Sequence, residues 1–507
     1  MSKYLLTRSV LQNIVIKVIA FLVSILITFA ISYSLSFISS PVFGQEESNK
    51  DNKTLNMEKV SQNLAKGLTF KTISYDDPSQ INYSQFKDMQ VFIDNTYPLI
   101  NSKLEKSVIN NYTLLYKWPG TNASSKAIVL MGHQDVVPAE QPNRWTHPPY
   151  AGVIDNGTIY GRGALDNKNG VFSILEAVEH LLKEGFQPSH TIYLLFGHDE
   201  EIGGLEGVKL AIDYLKNNNV DIKLVLDEGG LVVDNVFPSI EQPIAAVGIG
   251  EKGYVDFQLT ASKQPGHSSM PLRDNAIQVL ANAIKAIQDN PMPPVFDNTI
   301  LNTLKQFAPY IGNQTIREIF ENPLKNITLS EEILSKEPFF NAQIRTVISP
   351  TIINGGVKSN IIPSDASAIF NARIQPGDNI ESVLDHVRNV VNDSRIEIKT
   401  GEDFIAFNPP PLPETKHPSF DLLKKNVQDI FGRDLPVIPF LAFVATDSRH
   451  FQYIGYGEAV YRFNGVDVDQ SEFQGIHGYD ERLSIDSYEK QIKFLMAFIK
   501  ESNNFFK

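Results

Sequence analysis

Residues 127–138 read AIVLMGHQDVVP: five apolar residues that run into a histidine and an aspartate. A short, continuously apolar run is what a strand buried on both faces of a parallel sheet looks like. Thr191–Phe196 (TIYLLF) and Ile222–Leu226 (IKLVL) repeat the pattern. Between them lie Asn169–Glu184 (NGVFSILEAVEHLLKE), apolar at helical spacing and stopped by Gly185, and a helical stretch over Val208–Asn217. Strands alternating with helices predict a doubly wound α/β domain. In such sheets, sites form at the carboxyl ends of the strands. His133, Glu200, Glu201 and Asp227 all fall at such ends.

The pattern changes after about Gly248. Tyr254–Ala261 (YVDFQLTA) and Ala366–Ile374 (ASAIFNARI) alternate as half-exposed strands, Asn275–Asp289 and Ile380–Val391 are helical, and Arg395–Lys399 (RIEIK) closes the series. That order predicts an α+β module with one covered face. The α/β character returns from about His417, with a helix over Phe420–Phe431, a short strand around Val437 and a last helix over Ser487–Lys500. The expected organisation is a mixed, doubly wound catalytic domain over residues 55–247 and 401–507, interrupted by an inserted α+β lid over 248–400. Residues 291–345 carry several prolines and a mixed helical signal, and the sequence gives them no defined role in that lid.

The first 44 residues stand apart. Lys3, Arg8 and Lys17 precede an apolar run from Val18 to Ile38, close to the roughly 20 residues a bilayer span needs. Val42-Phe43-Gly44 before Gln45 suits signal cleavage. The segment reads either as an uncleaved membrane anchor or as a cleaved signal peptide. Both place the remainder outside the cytoplasm, membrane-anchored or secreted. Residues 45–54 (QEESNKDNKT) read as a polar linker. Sequons at Asn82, Asn111, Asn122 and Asn313 give export weak support. A diffuse net charge of -13 over 507 residues argues against nucleic-acid binding. With no cysteine there is no disulfide, thiolate metal site or cysteine nucleophile.

Five residues read as ligands of a two-metal hydrolytic site: His133, Asp166 in GRGALDNK, Glu201 in GHDEEIGG, Asp227 in LVLDEGG and His477 in QGIHGYDERL. Two imidazoles and three carboxylates suit a pair of divalent ions, with one carboxylate bridging. Taken singly each has a bland alternative: a surface histidine, a solvated acid, a helix cap. Convergence at strand ends raises the odds. In extended chain His133 and Asp135 point the same way, so Asp135 can accept from the second ring nitrogen and fix the tautomer. Gly161 and Gly163 let the backbone bend so that Asp166 reaches between two ions. Of the adjacent pair, Glu201 is assigned the metal and Glu200 the role of general base, although spacing alone allows the exchange.

HQDVVP, the stretch Trp145–Lys168, GHDEEIGG, LDEGG, PGHSS and IHGYDE together resemble the metallopeptidase family of aminoacylase, carboxypeptidase S, glutamate carboxypeptidase and succinyl-diaminopimelate desuccinylase. The likeness runs in order from about Leu55 to Phe498 and looks most like the carboxypeptidase S and N-fatty-acyl amino acid hydrolase branch. The resemblance implies two zinc ions, with cobalt or manganese as substitutes. His133 and Asp227 would hold one ion, Glu201 and His477 the other, and Asp166 would bridge. It also implies a cis peptide after Asp166. In the lid, His267 (QPGHSSMP) matches an oxyanion-stabilising histidine, and Asn360 (KSNIIP) and Arg373 (FNARIQPG) match residues that bind a substrate α-carboxylate. Without the resemblance, Arg373 would read as a surface ion pair. Thr446–Arg449 (TDSR) resembles another segment near the site. The expected activity is hydrolysis of an amide bond in a small peptide or N-acyl amino acid beside a free carboxylate. The alternatives are a fatty-acyl amino acid hydrolase and a membrane-anchored binding protein without catalysis. Expected partners are the small-molecule substrate, the membrane if the first segment stays, and a second copy through the lid.

Overall fold

The computed structural model describes residues 55–507 apart from 123–124, 235–239, 241, 272, 402–403, 413–416 and 506–507. The expectations for the N-terminal segment and linker lie outside the described residues. Among those described, no helix is long and apolar enough to cross a membrane.

Ala127–His133 is the buried central strand. It pairs in parallel with Ile192–Gly197 on one side and Ile222–Asp227 on the other. Ala459–Arg462 continues the parallel run beside Ile222–Asp227. Antiparallel strands Thr113–Trp118 and Glu105–Ile109 extend one flank, and Val232–Asp234 lies antiparallel to Ile244–Glu251 on the other. With Val437–Ala442 parallel to Ile244–Glu251 and Asp467–Asp469 parallel to Val232–Asp234, the described residues form a mixed sheet of ten strands. Helices Lys168–Lys183, Ser419–Phe431 and Ile485–Phe505 contribute to the larger core, with Phe172, Leu423 and Phe498 fully buried. Val208–Asn217 packs Val208, Ile212 and Leu215 against Val129, Leu195 and Val225 in a separate cluster. Each fully buried side chain of this size contributes about 1.5–3 kcal/mol.

The second sheet is antiparallel, in the order Val347–Gly355, Asp365–Ile374, Gly253–Ser262, Ile396–Lys399. Its two long central strands alternate buried and part-exposed residues, as a sheet covered on one face must. Helices Ala276–Asp289 and Ile380–Val391, each begun by an asparagine capping box, bring Val279, Ile287, Val383 and Val387 to the cover. The chain crosses between the sheets abruptly: Lys252 alone separates Ile244–Glu251 from Gly253–Ser262.

Two expectations need correcting. The inserted module does not begin at 248, because the main-sheet strand runs to Glu251, and Ala406–Phe407 still pairs with the smaller sheet. More important, the segment 291–345 does not join the smaller module's core. Its helices, among them Asn298–Phe307, Gln314–Glu321 and Pro338–Ile344, bury Phe307, Phe320 and Phe340 in the larger one. Gln343 fixes this docking through its amide, donating to Leu441 O at 2.6 Å and accepting from Leu441 N at 3.2 Å.

Candidate metal centre and active site

Three parallel strands deliver the first groups. His133 is the last residue of the central strand. Ile192–Gly197 leads to a 3-10 turn over Glu200–Ile202, and Ile222–Asp227 leads directly to Glu228. Asp166 comes from the loop after Thr158–Tyr160, where Gly163 adopts φ +91 and a Cβ would stand 2.9 Å from Val136 Cγ1. The Asp166–Asn167 peptide is cis. His477 enters from far along the chain with a left-handed φ of 56°.

The buried His133 ring lies with Nδ1 3.0 Å from the Asp135 carbonyl oxygen. Its Nε2 therefore faces outward, 3.0 Å from Asp166 Oδ1 and 3.1 Å from Glu228 Oε1. The other Asp166 oxygen, Oδ2, is 3.1 Å from His477 Nε2, which also lies 3.4 Å from Glu201 Oε2. One carboxylate thus spans two imidazole nitrogens. Two groups of potential ligands share this centre, His133–Asp166–Glu201 and His133–Glu200–Glu228. Glu201 Oε1 is buried without a hydrogen-bond partner. Convergent imidazole and carboxylate atoms, with one buried oxygen left over, fit divalent cations.

The electrostatics point the same way. Burial pushes the Glu228 carboxyl up to about 8, and it holds Glu200 well above the usual carboxylate range, with Glu201, Asp447 and Glu228 adding repulsion. Burial and the Asp166 charge raise Glu201. Burial works against a charge on His133, yet Glu228, Asp135 and Asp166 hold its pKa well above the usual value. Hydrogen bonds to Asp166 and Glu201 lift His477 to about 10. These acids crowd together in need of positive charge, which protonated imidazoles supply here and a metal ion would supply instead.

Asp135 organises the floor. It is fully buried and accepts from Ser74 Oγ at 2.7 Å, Glu200 N at 3.2 Å and Glu201 N at 3.1 Å. The residue beside the His133 ring therefore also fixes the turn that carries both glutamates. Arg449 of the TDSR segment braces that turn from the other side, donating to Gly203 O at 2.7 Å, with Nη1 3.9 Å from Glu200 Oε1.

The acid that faces the cluster after Ile222–Asp227 is Glu228, not Asp227. Asp227 turns toward the Thr446–Arg449 segment, where its Oδ2 accepts from Ser448 N at 2.9 Å. Neighbouring side chains at a strand end point in different directions, so only one of the pair can serve. The adjacent acid in LDEGG was the available signal, and nothing in the motif says which of the two turns inward.

The smaller module places its candidates differently. His267 and Asn360 meet on a two-stranded ribbon, Gly266–His267 against Ile361–Ile362, and Ser268 N donates to Asn360 O at 3.2 Å. Ser269 N donates to His267 Nδ1 at 3.1 Å, which leaves Nε2 to carry the ring proton. Both residues are exposed, and among the described residues no hydrogen bond or ion pair ties either to the metal cluster. Arg373 does reach the larger domain. Its guanidinium lies 4.5 Å over the Tyr254 ring, donates to Asn371 Oδ1 at 3.1 Å and approaches Phe443 O at 3.5 Å.

Residues 129–501 match the model of peptidase family M20/M25/M40. The chain belongs to the M20 peptidase family. As an M20 peptidase it is a hydrolase that works with divalent metal. Its curated relatives include the probable carboxypeptidase S-like 2 of Dictyostelium discoideum, 38% identical over 456 residues, covering 89% of this chain and 86% of that one. The N-fatty-acyl-amino acid synthase/hydrolase PM20D1 of Mus musculus is 31% identical over 453 residues, 88% of each chain. Both lie in the branch of M20 that the motifs resemble. Among solved structures, the M20 family metallo-carboxypeptidase Sso-CP2 of Sulfolobus solfataricus shares the fold with TM-score 0.65 and 18% identity, over 88% of this chain and 99% of that one. Human carnosine dipeptidase 1 does so with TM-score 0.63 and 18% identity, over 88% and 96%.

Proposed function

We propose that this M20 peptidase uses two zinc ions to hydrolyse the amide bond of a small peptide or N-acyl amino acid beside a free carboxylate. His133 and Glu228 would hold one ion, Glu201 and His477 the other, and Asp166 both. The observation that carries this is Asp166, whose two oxygens stand 3.0 and 3.1 Å from the two imidazole nitrogens. Bound zinc supplies Lewis acidity and makes water a nucleophile near neutral pH.

The chain's own residues do the rest. Glu200 takes a proton from the attacking water and returns it to the leaving amine, a shuttle suited to a carboxyl whose proton affinity burial has raised. Asp135 keeps the His133 ring and the glutamate turn in place. Arg373 and Asn360 take the substrate carboxylate. His267 donates through Nε2 to the developing oxyanion once the smaller module closes, or from a second copy joined through that module. The exposed edge strand Val347–Gly355, with Ile352 50% and Ile353 67% exposed, supports such a pairing. The apolar Val18–Ile38 run supports an extracytoplasmic enzyme, anchored or secreted. A fatty-acyl substrate is the second reading, favoured by the likeness to the Mus musculus enzyme.

The test loads the full chain with zinc and measures amino-acid release from dipeptides and from short- and long-chain N-acyl amino acids. Release abolished by chelation is expected, and the preferred acyl group separates the two readings. Two ions bound with no release from any substrate would favour a binding protein instead.

A further inference from the structure

Glu481 lies four residues beyond His477 and is fully buried. Its carboxylate accepts four hydrogen bonds, all from the loop that carries Asp166. Oε2 accepts from Arg162 Nη1 at 2.7 Å and Gly163 N at 3.0 Å; Oε1 accepts from Leu165 N at 2.8 Å and from Asp166 N itself at 3.0 Å. Arg162 closes the loop back on the histidine segment by donating Nη2 to Gly478 O at 3.0 Å. Gly161 N donates to the Glu481 carbonyl at 2.9 Å. One side chain thus joins two segments more than 300 residues apart in sequence, each carrying a candidate ligand.

We infer that Glu481 is a positioning residue that sets the second metal position by holding Asp166 and His477 in register. The inference rests on the two-ion reading above. His133, Glu201 and Glu228 are carried by the ends of the main-sheet strands, and Glu201 is fixed there through Asp135. The ion held by His133, Glu228 and Asp166 therefore depends on Glu481 for one of its three ligands. The ion held by Glu201, His477 and Asp166 depends on it for two. A buried Arg–Glu pair that served stability alone would not discriminate between the ions.

Glu481→Gln keeps the shape but replaces one accepting oxygen with a donor, so two of the four donors lose their acceptor. The experiment strips the full chain of metal, titrates zinc calorimetrically, and counts bound zinc after dialysis at fixed free zinc. Wild type is expected to take two ions. The variant is expected to bind both ions more weakly, the Glu201–His477–Asp166 ion by about 10–100-fold, the usual cost of losing a residue that orients a ligand, and the other ion by clearly less, since only one of its three ligands depends on Glu481. Two ions bound as in wild type, or both weakened equally, would overturn the inference. Should Glu481→Gln fail to fold, Arg162→Lys decides. It keeps the charge but cannot reach Glu481 and Gly478 together, so the same unequal weakening is expected, and affinities unchanged or lowered equally overturn the inference. A wild type that takes fewer than two ions overturns the two-ion reading along with it.

Discussion

The ends of the main-sheet strands and the ribbon of the smaller module carry candidate residues under opposite conditions. His133, Asp135 and Glu228 are buried or nearly so and bonded to groups from other segments, so their geometry is set before any substrate arrives. His267 and Asn360 are exposed and bonded within their own ribbon. A buried polar cluster has to satisfy its members internally, because water cannot, whereas an exposed ribbon can wait. The contrast supports a metal cluster built largely into the fold and a ribbon whose proposed oxyanion role waits on an assembly step, while Arg373, already beside Phe443, is held in place beforehand.

The largest effect that could break this contrast is loss of an ion. Glu228→Ala should reduce bound zinc from two ions to one and take turnover to background, whereas Asp227→Asn should leave two ions bound; metal counting on both variants checks it. Glu200→Gln comes next. It should lower kcat about 10²–10⁴-fold with both ions retained, and a near-normal rate would remove Glu200 from the proton shuttle. His267→Ala should lower kcat about 10²–10³-fold while zinc content and melting temperature stay put. A change in zinc content would mean that the ribbon is no separate part. The smallest effect is in pH. In the metal-free protein His477 is lifted to about 10 and Glu228 to about 8, and His133 stands above its ordinary value, so around pH 7 the ligand set carries protons. Zinc must displace them, so affinity should fall as pH falls, by at most tenfold per unit for each proton released. Calorimetry in buffers of different ionisation enthalpy would show that release. No release would mean that the imidazoles do not bind.

Much of the larger domain was legible because its strands obey one rule. AIVLM, TIYLLF and IKLVL are apolar on both faces apart from Thr191 and Lys223, and Ala127–His133, Ile192–Gly197 and, Lys223 excepted, Ile222–Asp227 are buried on both. The helix Val208–Asn217 falls where its periodicity puts it. Two things were not legible. Asp227 and Glu228 are chemically alike, and which of them turns inward depends on tertiary partners such as Ser448, whose N–H holds Asp227, and not on the motif's letters alone. The helices between 298 and 344 show apolar faces that fit either domain by periodicity alone. Interlocked rings such as Phe307 against Phe340, 5.4 Å apart, and the Gln343 bonds to Leu441 decide the matter, and these are tertiary facts.

The candidate ligands are strung from 133 to 477, with the whole smaller module lying between the fourth and the fifth. A ribosome makes this chain in that order. The half-formed protein owns His133, Asp166, Glu201 and Glu228 well before it owns His477, so the complete donor set exists only after the last part of the main sheet has been synthesised and folded back. On the proposed ligand set, hydrolysis would therefore wait until His477 has been made and folded back onto Asp166.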